Sequence, residues 1–228
     1  MNRLPVLVDC SEVARVYGSG PATVVAVSGV TCQVRAGDRI ALVGSSGSGK
    51  STLLHMLAGL ERPSSGEISW PSLPMRAGRP RDVGVVFQGP SLLPALDVTE
   101  NVALPLILAG VAEDEAVRRA TQALAAVRMT EQARALPEEL SGGQSQRAAI
   151  ARVLAAAPPL VLADEPTGQL DSATARVVLD ALLHAVDRIG AALVVSTHDP
   201  LVAEHLPLRW QMQDGELTAD VPAVGASS

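Results

Sequence analysis

Residues 39–52 read Arg39-Ile40-Ala41-Leu42-Val43-Gly44-Ser45-Ser46-Gly47-Ser48-Gly49-Lys50-Ser51-Thr52. Arg39 to Val43 is a short apolar strand pattern that runs straight into a loop of the form G-x-x-x-x-G-K-S/T. A helical run follows over Ser51–Leu60, with Leu53, Leu54, Leu57 and Leu60 on one face, and Gly59 and Pro63 mark its end. The glycines let the backbone curl until several N–H groups face one anion, and the helix N-terminus adds its dipole. The expected chemistry is phosphate binding. Gly44, Ser45, Ser46, Gly47, Ser48 and Gly49 form the cradle, and Lys50 reaches the β- and γ-phosphates. Ser51 ligates Mg²⁺ through its hydroxyl, and Thr52 stands beside the phosphates at the helix start.

Two more apolar strand patterns end in groups that such chemistry uses. Leu160 to Ala163 leads into Asp164 and Glu165. Ligands of parallel α/β sheets sit at the carboxyl ends of strands, so Asp164 would face Mg²⁺ and Glu165 would polarise the attacking water. Taken alone, the pair reads equally as a solvated acidic turn before Pro166. Leu193 to Thr197 delivers His198 in the same way, where an imidazole can contact the γ-phosphate and the water. His55, His184 and His205 lie in helical patterns and read as packing or surface residues. Gln88 follows the strand pattern Val83–Phe87, and its amide suits Mg²⁺, the lytic water or an ordinary turn. Tyr17, the one tyrosine, precedes the Gly18-Ser19-Gly20-Pro21 turn signal, and its ring suits stacking on a purine or plain packing.

A second glycine loop, Leu140-Ser141-Gly142-Gly143-Gln144, opens a helix predicted to run from Gln144 to Ala157. Ser141 and Gln144 have capping-box spacing. Two glycines in a first turn weaken the helix without helping the cap. The sequence reading therefore assigns them to close approach of a ligand. One nucleotide does not need two phosphate cradles so far apart in the chain, which points to a site shared between two copies.

Around these motifs, Val6–Val8 and Val24–Val34 read as strands, and Leu92–Ala157 is mostly helical, with Val117, Ala120, Leu124 and Val127 on one stripe. Pro158-Pro159 stops the last of these helices. A helix at Ser172–Ile189 separates apolar strands at Leu160–Ala163 and Ala191–Ser196, the order of a buried parallel sheet. Arg209–Met212 and Glu216–Thr218 flank Asp214-Gly215, a hairpin signal.

The 228 residues are 47% hydrophobic with a net charge of -6, which argues against a nucleic-acid binder that relies on a broad basic face. Cys10 and Cys32 lack zinc spacing and read as small buried hydrophobes in a reducing compartment, with a disulfide between them as the alternative. The start of the chain shows no signal-peptide pattern. The most apolar run, Val102–Ala112, holds Pro105 and Gly110 and is too short to span a bilayer, which needs about 20 residues.

Together these motifs resemble the nucleotide-binding subunit of ABC transporters, in the family's order and over nearly the whole chain. Tyr17 is similar to the family's base-stacking aromatic, Gly44–Thr52 to Walker A and Gln88 to the Q-loop glutamine. Leu140–Gln144 is similar to the signature motif, Asp164 to the end of Walker B, Glu165 to the catalytic base, Asp171 to the D-loop and His198 to the switch histidine.

The resemblance implies an α/β fold: a RecA-like P-loop NTPase core over 1–88 and 160–218, with an N-terminal antiparallel β-subdomain. A helical signature subdomain over 89–159 is inserted, and a flexible tail covers 219–228. It implies a Mg²⁺-dependent ATPase that forms a homodimer on ATP at the cytoplasmic face of the plasma membrane. A separate permease docks near Gln88–Leu108 through Leu92, Leu93, Leu96 and Pro105-Leu106. Ser91–Pro94, Val98–Val102 and Ala163–Gly168 look like the lipoprotein-release, macrolide-export and cell-division branch. Gln169 replaces an asparagine, Ser145 follows the signature where glutamine is common, and Trp70–Asp82 is shorter than in relatives. An importer ATPase and a non-transport ATPase of the same class are the alternatives. The DNA-repair type carries a long coiled coil between Walker A and the signature, for which this chain has no room.

Overall fold

The computed structural model describes residues 4–76, 79–80 and 82–219. The chain divides into two compact units, Met1–Arg81 with Ala192–Ser228, and Asp82–Ala191. Elements are numbered through the chain. The first unit contains β1 (Val6–Tyr17), β2 (Val24–Arg35), β3 (Arg39–Val43), α1 (Lys50–Leu57), β4 (Ser65–Ser69) and the two-residue strands β5 (Met75–Arg76) and β6 (Arg79–Pro80). The second holds β7 (Val83–Val86), α2 (Val98–Leu108), α3 (Glu113–Ala126), α4 (Gly142–Leu154), β8 (Leu160–Asp164) and α5 (Ser172–Ile189). β9 (Ala192–Thr197), α6 (Pro200–Glu204), β10 (Leu208–Gln213) and β11 (Glu216–Ala219) return to the first unit.

In the first unit β2, β1 and β4 form an antiparallel sheet in that order. β1 is longer than predicted and ends on Tyr17. Cys10 and Cys32 lie opposite each other in the β1–β2 register, both buried and free. The second sheet of this unit runs β11, β10, β3, β9, parallel at β10–β3 and β3–β9. Asp214 and Gly215, both at positive φ, close the antiparallel β10–β11 hairpin as an Asp-Gly turn should. β3 and β9 are apolar throughout their centres because both faces are covered. α1 buries Leu53, Leu54, Met56 and Leu57. It stops before Leu60, which is 47% exposed and not part of its buried face as the sequence suggested.

In the second unit β7 and β8 pair in parallel. A side chain at Gly84 of β7 would overlap Val153 of α4, so strand and helix pack backbone to side chain. α4 also packs on α5. The boundaries between the two compact units fall at Asp82 and Ala192. The helical stretch is three helices, with a loop and one 3₁₀ turn, Pro137–Glu139, between α3 and α4. The buried stripe of α3 is Ala116, Ala120, Ala123 and Leu124, while Val117 is 40% exposed. Of the expected tail 219–228, Ala219 belongs to β11 and the rest lies outside the described residues.

Asp171 caps α5. Its carboxylate accepts from the backbone N–H groups of Ala173 and Thr174, each at 3.1 Å, and from the Thr174 hydroxyl at 2.6 Å. The Thr174 hydroxyl, with these N–H groups, holds the carboxyl below its ordinary range. A lowered folded-state value contributes stability at neutral pH that is lost as pH falls through it. Asp171→Ala is therefore expected to lower the melting temperature at neutral pH, with the gap to wild type closing near pH 2. Thermal denaturation at both pH values checks this, and a constant gap contradicts the cap.

Candidate active site

The phosphate loop sits in the first unit between β3 and α1. Gly49, the residue before α1, has φ +101, and a Cβ there would overlap the Ala26 carbonyl. Only glycine meets both conditions. A Cβ on Gly44 would likewise overlap the Met212 carbonyl and stand 2.7 Å from Ser48 Oγ. The loop is closed by Ser48 N–H on the Ser45 carbonyl at 3.2 Å, and tied to the β10–β11 turn by Gly215 N–H on the Ser48 carbonyl at 3.1 Å. Lys50 is buried, and its Nζ donates to the carbonyls of Gly44 and Ser45 at 2.9 Å each. Ser48 Oγ is buried and has no hydrogen-bond partner among the described residues. A buried hydroxyl without a partner in a glycine-rich loop at a helix start fits a phosphate oxygen. Ser45, Ser46, Gly47 and Ser51 are exposed around it, and Thr52 is half-buried.

His198 follows β9 in the same unit and is exposed. Asp199 N–H donates to Thr197 Oγ1 at 3.0 Å, and Asp199 caps α6 through Leu201 N–H at 2.9 Å. These bonds fix the backbone on both sides of the imidazole. Tyr17 is 37% exposed, and its hydroxyl donates to Glu61 Oε2 at 2.6 Å.

The second unit carries the remaining groups. β8 delivers Asp164, buried, to its carboxyl end. Glu165 follows at φ +42, a conformation a side chain adopts only when the surroundings enforce it. Glu165 Oε2 and Gln88 Nε2 lie 3.0 and 3.6 Å from the point where a Gly168 side chain would begin. The structure thus brings Gln88 and Glu165 to one place. Among the described residues no three His, Cys, Asp or Glu side chains could hold a metal together.

The signature loop forms the predicted capping box. Ser141 N–H donates to Gln144 Oε1 at 2.8 Å, and Gln144 N–H to Ser141 Oγ at 3.3 Å. The helix begins earlier than expected, at Gly142. Helix packing is a second reason for a glycine at position 143. A side chain there would overlap Thr174 Cγ2 of α5, so this glycine serves helix packing. Gly142 has ordinary room, with Leu170 at 3.5 Å.

Two residues escaped the sequence reading. Gln146, buried, donates from Nε2 to the Phe87 carbonyl at 3.1 Å. Arg152 donates to the carbonyls of Ser91 at 2.7 Å and Pro90 at 3.2 Å, and burial lowers its pKa. They hold both flanks of Gln88 against α4. Their only signal in the sequence was two long polar side chains in an alanine-rich helix. Leu106, expected on a docking surface, is buried at 5% exposure. One turn after Val102, it faces the core, while Leu93 (46%), Ile107 (39%) and Leu108 (79%) are exposed.

A family model described as ABC transporter matches residues 27–168. The lipoprotein-releasing system ATP-binding protein LolD of Chromohalobacter salexigens is 42% identical, with 94% of each chain covered. LolD of Legionella pneumophila (strain Lens) is 40% identical over 94% of this chain and 98% of its own. An uncharacterized ABC transporter ATP-binding protein of Mycobacterium tuberculosis is also 40% identical, over 98% and 92%. Among solved structures, the dimeric post-hydrolysis state of the ATP-binding cassette MJ0796 bound to ADP and Pi superposes with a TM-score of 0.80 at 33% identity, covering 93% of this chain and 97% of that one.

Gly143→Ala is expected to cost about 1–3 kcal/mol in chemical denaturation, because Thr174 is β-branched and its hydroxyl is bound to Asp171. Adding Thr174→Ser, which removes the obstructing methyl and keeps the hydroxyl, should recover most of that loss.

Proposed function

Since the chain belongs to the ABC transporter family as an ATP-hydrolysing subunit, we propose that two copies close head to tail on two ATP molecules and drive a separate membrane permease. In this reading the buried, partnerless Ser48 hydroxyl and the Lys50 ammonium receive phosphate oxygens. Ser51, Asp164 and Gln88 hold Mg²⁺, which when bound neutralises charge on the phosphates. Glu165 takes up the proton as water attacks the γ-phosphorus and the bond to the β-phosphate breaks, with His198 holding the γ-phosphate and water in line. Ser141, Gly142, Gly143 and Gln144 meet the partner copy's ATP, and Asp171 lies at the dimer contact. Ser141 then exchanges its own helix cap for a phosphate oxygen, so closing the dimer competes with capping α4.

Residues 89–159 act as the signature subdomain, and the segment held by Gln146 and Arg152 passes the motion to the permease. Its exposed Leu93, with Ile107 and Leu108, forms the docking surface. The subunit lies at the cytoplasmic face of the membrane through that partner; among the described residues no helix is long and apolar enough to cross a membrane. The similarity to LolD proteins favours the lipoprotein-release branch.

The observation that carries this reading is the pairing of Gln88 and Glu165 around Gly168. Glu165→Gln should lower ATP turnover about a hundredfold or more and leave an ATP-bound dimer on size exclusion. A monomer with ATP present contradicts the shared site. Leu93→Asp should cut co-purification of an integral-membrane subunit from source membranes several-fold, and unchanged recovery removes Leu93 from the docking surface.

A further inference from the structure

Arg15, Tyr17 and Glu61 form a closed set in the first unit. Arg15 and Tyr17 are two residues apart on β1, so their side chains leave the same face of the strand. The Arg15 guanidinium carbon stands 4.7 Å from the centre of the Tyr17 ring. Its Nε and Nη2 reach Glu61 Oε1 at 3.0 and 2.9 Å, while the Tyr17 hydroxyl donates to Glu61 Oε2 at 2.6 Å. One carboxylate thus holds both the ring and the cation over it. Glu61 itself is anchored to the end of α1, its N–H on the His55 carbonyl at 3.3 Å. Val24 of β2 pairs with Tyr17, shares its face of the sheet and is 60% exposed.

We propose that Arg15 and Glu61 are positioning residues that fix the Tyr17 ring and fill one of its faces, leaving the other to stack on a purine base beside Val24. The inference rests on the reading of Tyr17 as the base-stacking residue. A ring tethered at its hydroxyl and covered on one face has lost most of its freedom before a ligand arrives, which lowers the entropic cost of stacking. The guanidinium also draws electron density toward its own side, which reduces repulsion between the open face and the π-cloud of a purine. Because Glu61 follows α1 and Lys50 begins it, the same helix positions the base-stacking ring and the phosphate loop.

The test uses isothermal titration of the full chain with ADP and, separately, with inorganic triphosphate, which carries phosphates and no base. Arg15→Gln and Glu61→Gln are each expected to weaken ADP binding about three- to tenfold, with triphosphate binding as in wild type. Arg15→Lys, which keeps a cation but loses the fork, should recover part of the loss. Tyr17 is the one tyrosine of the chain, so ring-labelled protein gives one aromatic signal. Excess ADP should shift it and triphosphate should not. If Tyr17→Ala weakens ADP binding while both Gln variants match wild type, the positioning pair is overturned. If Tyr17→Ala leaves ADP binding unchanged, the base-stacking reading itself falls. Equal losses for ADP and triphosphate in the Gln variants overturn the proposal as well, since they mark a disturbed phosphate loop.

Discussion

The first unit depends on one steric constraint, the approach of the phosphate loop to neighbouring backbone. Gly44 and Gly49 lie so close to the carbonyls of Met212 and Ala26 that no side chain fits at either position. This approach lets the β10–β11 turn hold the Ser48 carbonyl, which in turn fixes the loop between β3 and α1. Lys50 is then drawn back across the loop onto two carbonyls, and Ser48 Oγ is left buried without a partner among the described residues. A buried hydroxyl in that state is costly in a folded protein unless a ligand meets it. The loop is thus fixed by backbone packing.

A parallel constraint governs the second unit, at the junction of α4 and α5. Asp171 caps α5 and fixes Thr174, whose methyl leaves room for nothing larger than Gly143 on α4. α4 in turn holds the segment around Gln88 through Gln146 and Arg152. The residues that the family uses to sense nucleotide and to signal outward are therefore linked through one helix. Its N-terminal cap is the signature loop itself. α4 joins that cap to the Gln88 segment because its side chains hold backbone carbonyls there.

Legibility from the sequence followed the range of the interactions. The β3–loop–α1 unit, the β10–β11 hairpin, α5 and the Ser141 capping box were all readable, because turn chemistry and capping act within a few residues. β4 went unread, since Ser65–Ser69 carries no apolar alternation and becomes a strand only by pairing with β1. The early end of α1 and the inward turn of Leu106 were missed because apolar spacing does not reveal which neighbour covers a face.

By itself the sequence determined the family's motifs and their order, because a phosphate loop, strand-end carboxylates and a helix cap are each specified by residue type and short spacing. Tertiary structure alone decided how those residues are supported. Only packing could show that Gly143 answers to Thr174, that Glu165 and Gln88 meet at Gly168, and that Arg15 and Glu61 clasp Tyr17. Each of these contacts joins positions distant in the chain, or depends on a side-chain direction set by such a contact. The physical reason is that close packing and charge pairing act through space, whereas the sequence records only neighbours along the backbone.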